Sequence, residues 1–122
     1  MSMTVLKNTP THAVVAFVNS GNSSYTLDLS SLVLPSRQTE VLPVVNIKGF
    51  QFSAHGGQTI TITRNGQLLW SLANTGIMKF DGFVDNRQNT SDIVVVVGNG
   101  GSIVLELIKV SGFGDTEHIN AI

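Results

Sequence analysis

The chain has 122 residues, 42% of them hydrophobic, which sets an expectation of one domain around one core. Charged residues make up only 12%, and seven Lys and Arg against eight Asp and Glu leave a formal charge of −1, a balance that excludes a strongly basic nucleic-acid binder and a polybasic membrane anchor. There is no cysteine, hence no disulfide and no thiolate zinc site, and no apolar run approaches the ~20 residues a helix needs to span a bilayer.

The apolar residues are mostly Val, Ile, Leu and Phe, and the polar ones mostly Ser, Thr, Asn, Gln and Gly. β-Branched side chains lose rotamer freedom on a helix and pack well on a pleated sheet. Residues 1–10 read as an N-terminal arm with an apolar patch at Val5-Leu6 and a stop at Pro10. Met1 to Thr4 lacks the basic and apolar regions of a signal peptide. Thr11 to Asn19 reads as a strand with apolar groups on both faces, Val14, Ala16 and Val18 against Val15 and Phe17, and so as a strand covered on both sides. Ser20 to Ser23 is a turn cluster, after which Tyr25, Leu27 and Leu29 alternate with polar residues as a half-buried strand.

Pro35 and Pro43 break any regular element between Leu32 and Pro43, which reads as a connection crossing between sheets. Val44 to Ala54 is extended, with a bulge expected at Gly49. Thr59 to Arg64 alternates without a fault, Asn65-Gly66 follows, and Leu68, Trp70 and Leu72 then share one face. Asn-Gly between alternating runs marks a hairpin, because both turn residues must reach φ > 0. Ile77 to Val84 is a further strand, and Asp85 to Thr90 a polar loop. Ile93 to Val97 reads as a central buried strand, and Gly98 to Gly101 turns it into Ile103 to Val110. Eight or nine strands at this spacing define an all-β fold, an antiparallel β-sandwich of jelly-roll or other Greek-key type. The domain is expected over residues 11–112, with a C-terminal arm at 113–122.

Candidate chemistry is sparse. His12, His55 and His118 are far apart and have no partner at ligand spacing. Asp81, Asp85 and Asp92 with Asn86 and Asn89 offer hard oxygen ligands for calcium, yet the spacing fits no EF-hand loop and Arg87 interrupts it. Asp28, Glu40 and Glu106 interrupt strand-like runs singly, and Ser111 has no base beside it. Gly98-x-Gly100 joins two strands rather than opening a helix, so it is no phosphate loop. Trp70, flanked by Leu68 and Leu72, reads as core rather than as a glycan platform. No catalytic, cofactor or metal residue is assigned, and the chain is read as not an enzyme.

Five stretches form an ordered set: Thr4-Val5-Leu6-Lys7-Asn8-Thr9, Ala13-Val14-Val15-x-Phe17, Thr61-Ile62-Thr63-Arg64-Asn65-Gly66, Asn89-Thr90-Ser91-Asp92-Ile93 and Leu105-x-Leu107-x-Lys109-Val110-Ser111-Gly112. Together they resemble small virion structural proteins of tailed phages, particularly phages of aquatic bacteria such as cyanobacteria. The resemblance implies a part of a virion, made in the host cytoplasm, with no catalytic motif to carry over. The expected function is a capsid decoration or cement protein that stabilises the phage head. A neck, tail or baseplate component and a carbohydrate-binding sandwich for host adsorption are the alternatives. The expected partners are the major capsid protein or other virion proteins and further copies of the chain, a trimer among the possible oligomers, with no nucleic acid and no membrane. The expected contact residues are Val5 and Leu6 of the N-terminal arm, Phe113, Ile119 and Ile122 of the C-terminal arm, and Val15 and Phe17 of the two-faced strand. The competing expectation is that the arms add edge strands to their own sandwich.

Overall fold

The computed structural model describes residues 2–9, 11–19, 23–32, 44–80 and 89–109. Nine strands run through them: β1 (Ser2–Asn8), β2 (His12–Val18), β3 (Ser23–Leu27), β4 (Val45–Ser53), β5 (Ile60–Arg64), β6 (Gln67–Leu72), β7 (Thr75–Lys79), β8 (Ile93–Val97) and β9 (Ser102–Lys109). They form two antiparallel sheets, one of five strands in the order β1-β2-β9-β4-β7 and one of four in the order β3-β8-β5-β6. The all-β sandwich expected from the alternation is what the chain builds.

Period-two alternation places one side of each sheet in a shared core. Ala13, Val15 and Phe17 of β2, Ile103, Leu105 and Leu107 of β9, and Val45, Ile47 and Phe50 of β4 line the five-stranded layer. Leu27, Ile60, Ile62, Ile93, Val95 and Val97 face them from the four-stranded layer. Each such side chain removed from water contributes roughly 1.5–3 kcal/mol before the entropy of ordering is subtracted. One flank, where β6 and β7 lie, is filled by an aromatic cluster: Trp70 stacks on Phe80 with ring centroids 5.3 Å apart, and Phe50 meets both edge-on. Trp70 is thus packed against the core.

Two links are hairpins, β1–β2 and β5–β6; the others pass from one sheet to the other. Four of these crossings, after β2, β4, β6 and β8, lie at one pole of the sandwich. Three of them are short enough to need unusual backbone: Gly56 and Gly57, Asn74 and Gly100 all have positive φ there. Asn19, at the end of β2, ties this pole together. Its side-chain amide donates to the Val97 carbonyl, its N–H donates to Gly101 O (3.0 Å), and its own carbonyl accepts from Gly100 N–H (2.7 Å). The link between Leu32 and Val44 lies outside the described residues, but its ends belong to opposite sheets, as a crossing requires.

Four expectations change. Residues 2–8 are the edge strand β1, paired along β2 with a bulge at Leu6, because the patch Met3-Val5 continues the pleat of Phe17 and Val15. Val15 and Phe17 have no exposed surface at all: they sit opposite Leu105 and Ile103 on the core side, and the outward residues of β2 are Val14, Ala16 and Val18. The strand expected through Leu29 stops at Leu27, and Leu29–Leu32 coils into one 3₁₀ turn that still buries Leu29 and Leu32. Leu68 does not share the inward face of Trp70. A bulge at Leu69 pairs Leu68 with outward Thr63 and Trp70 with inward Ile62, and a one-residue slip reverses the face of a side chain. Leu68 is therefore exposed.

The bulge expected at Gly49 is present: β4 shifts register against β9 between Ile47 and Gly49. The Asn65-Gly66 turn is also as expected, with φ of 51° and 72° closing Arg64 onto Gln67. Gly66→Val is expected to cost more than about 1 kcal/mol through strain at that positive φ, although the position is open to solvent. A lowered melting temperature against an unchanged Asn65→Gly control is the check.

Candidate functional site

The described residues carry two features of note, one a buried polar cluster and one an outward-facing, largely aliphatic sheet face. The polar cluster lies at the pole opposite Asn19. Arg64 ends the inward row Ile60-Ile62-Arg64 and is fully buried. Its Nη1 donates to Val45 O at 2.7 Å, and its Nε and Nη2 both donate to Ser91 O, at 3.1 and 2.6 Å. Lys109, likewise buried, donates from Nζ to Leu32 O at 2.6 Å, and Asn8 Nδ2 reaches the same carbonyl at 3.2 Å. Asn89 Nδ2 donates to Asn46 Oδ1 at 3.3 Å, and Val45 N–H donates to Asn89 O at 2.9 Å. These groups hold carbonyls at a sandwich end and present no reactive atom to solvent. The perfect alternation of Thr59 to Arg64 already implied an inward Arg64, but a terminal Arg is more readily read as the start of the turn.

The isolated carboxylates have local tasks. Asp28 accepts from Ser30 Oγ (2.8 Å) and Ser30 N–H (3.0 Å) and so caps the 3₁₀ turn. Those two bonds hold its pKa below the usual aspartate value, the hydroxyl bond being the larger cause. Asp92 Oδ1 accepts from Leu29 N–H at 3.0 Å. His12 and His55 are exposed on separate parts of the surface; His118, Asp81, Asp85 and Asn86 lie outside the described residues. Among the described residues no group of three or more His, Asp or Glu converges as a metal site, and no helix is long and apolar enough to cross a membrane.

The outward-facing feature is the solvent side of the five-stranded sheet. Strand register sets its rows. Thr4, Ala16, Val104, Gln51 and Ile77 stand side by side across the five strands, and the next row reads Lys7, Val14, Glu106, Gly49, Lys79. Val18 and Ile108 extend the apolar area along β2 and β9, and Val18 and Ile77 are 53% and 64% exposed. Gly49 has no side chain, and a Cβ there would stand 2.6 Å from the Met78 carbonyl oxygen, so the position is held to glycine. Over it lies a shallow depression of about 220 Å³ bordered by Val14, Gln51, Ile77, Lys79, Val104 and Glu106. Val5 and Leu6 project from the adjacent edge strand, 40% and 58% exposed. Among the described residues the exposed large apolar side chains are all aliphatic, so this surface offers no aromatic platform of the kind a sugar ring stacks on. The expected contact residues thus separate: Val5 and Leu6 are exposed, Val5 on the core-side face of the edge strand opposite Val15 and Leu6 at the bulge, Val15 and Phe17 are core, and Phe113, Ile119 and Ile122 lie outside the described residues.

No protein-family model matches the chain, and a search of curated proteins returns no match.

Arg64→Met is expected to lower stability by about 3 kcal/mol, because the Val45 and Ser91 carbonyls lose their buried donors. Urea unfolding should show a reduced midpoint at an unchanged slope. Ser30→Ala is expected to raise the Asp28 pKa toward its ordinary value, read by NMR titration of the carboxyl carbon. Because the folded pKa is depressed, the capping contribution is complete above the unfolded value of about 3.9 and is lost as pH falls through the folded one.

Proposed function

We propose that the protein is a non-enzymatic structural component of a tailed-phage virion, a decoration protein that reinforces the head by binding across capsid subunits. The observation that carries this reading is the aliphatic side chains of β2 and β9 that face solvent, Val14, Ala16, Val18, Val104 and Ile108, on a chain with few charges. It is supported by the ordered resemblance of five stretches to small phage virion proteins and by the nine-strand sandwich that holds them. The mechanism is mechanical. Val5 and Leu6 on the edge strand, with Phe113, Ile119 and Ile122 of the C-terminal segment, enter apolar depressions on neighbouring virion proteins. Each contact contributes roughly 25 cal/mol per Å² of apolar surface buried, and many copies together resist the pressure of packaged DNA. No step requires a cofactor.

The test joins stoichiometry to mutation. Purified virions are expected to hold on the order of hundreds of copies, as a head lattice demands, whereas about a dozen would assign the chain to the neck or baseplate. Val5→Ser with Leu6→Ser is expected to keep stability within about 1 kcal/mol, since both side chains are exposed in the isolated fold, and to lower occupancy on particles severalfold. Absence of the chain from purified virions overturns the proposal.

A further inference from the structure

Glu106 stands on the central strand of the five-stranded sheet, half-buried, in an outward face that is otherwise largely aliphatic around it: Val14 beside it, Val104 and Ile108 two residues away along β9. A partner that covers this face must bring a cation to that carboxylate, because a desolvated charge without one is costly. It must also bring an aliphatic group to Val104. Charge along the row runs Lys7, Glu106, Lys79, with the uncharged Val14 and Gly49 between. Strands are about 4.8 Å apart, so each lysine lies two strands, about 10 Å, from Glu106.

From this pattern we infer that the outward face of the five-stranded sheet binds a second copy of the chain, face to face, about a twofold axis running along β4. Such an axis lays β9 of each copy over β7 of the other. Glu106 then meets Lys79 of its partner, and Lys79 meets the partner's Glu106. One row further, Val104 and Ile77 cover each other in the same reciprocal way. On the axis itself Gly49 faces Gly49, and the missing side chains let the two sheets approach where the depression lies. Among the described residues of this face, Lys7 and Thr4 stand at the same two-strand offset from Glu106 and Val104 on the other side, but Thr4 is not aliphatic, whereas Ile77 beside Lys79 is. The pairing is isologous, so two charge pairs and two aliphatic pairs form at once. Its area is small, and self-association is correspondingly weak and salt-sensitive. The inference does not rest on a virion location, since the purified chain alone tests it.

The experiment is sedimentation equilibrium of the full chain at low salt, with Glu106→Lys, Lys79→Glu and Ile77→Ser variants checked for folding by circular dichroism. Wild type is expected to dimerise, and each variant to weaken the dimer about tenfold or more. The deciding sample is an equimolar mixture of Glu106→Lys and Lys79→Glu. In the twofold arrangement both of its charge pairs are opposite again, so the mixture is expected to recover dimers that neither variant forms alone. A charge pair within one chain could not be restored by mixing. A wild type that stays monomeric at millimolar concentration, or a mixture no more associated than its components, overturns the inference and leaves the face to another virion protein or to the chain's own C-terminal segment. Either result stands apart from virion occupancy, which is read on particles.

Discussion

The sandwich is organised around one buried guanidinium. Arg64 belongs to β5 in the four-stranded sheet, yet it donates to Val45 at the start of β4 in the five-stranded sheet and to Ser91 just before β8. Three strands are thereby fixed at one height across both layers, with geometry that a planar five-donor group can satisfy and an ammonium cannot. Taking that charge out of water is expensive, and the cost is tolerable only because the donors meet carbonyls at close range. Lys109 repeats the device on β9, where it holds the end of the 3₁₀ turn through the Leu32 carbonyl. Apolar packing alone would allow the two layers to slide; these directional bonds select one alignment.

At the other pole the same task falls to an amide. Asn19 joins the end of β2 to the turn between β8 and β9, and positive-φ residues let the crossings stay short. One end of the molecule is therefore a tight knot of glycine and asparagine turns. The long connections, which include 33–43 and 81–88, leave from the end where the buried cations sit.

What the sequence disclosed follows from how local each signal is. The Asn65-Gly66 turn depends on two residues and their flanks, and it was readable from them. The buried face of β9 was readable because Ile103, Leu105 and Leu107 alternate without interruption. The bulge at Leu69 was not, because Gln67 to Leu72 alternates just as well without it; only pairing with β5 shows that Leu68 has turned outward. Val15 and Phe17 were misjudged for a related reason. Both faces of β2 are apolar, and which one is inward is decided by its pairing with β9, far away in sequence. The candidate surface was legible as composition, a scarcity of charge, but not as a place. Lys7, Glu106 and Lys79 are up to ninety-nine residues apart in the chain and become one row only through strand order.

That strand order also bears on how the chain matures. β9 lies at the centre of the five-stranded sheet but later in the chain than every strand it joins. During synthesis β1 and β2 can form a hairpin, and β4 can meet β7, yet these halves have nothing between them until residues 102–109 leave the ribosome. Until then β2 and β4 are both open edges, each with an apolar face, of the kind that recruits other chains. Closure of the sheet thus waits for the last of its five strands to be made. A nascent chain stalled before β9 would be a sticky intermediate rather than a smaller domain.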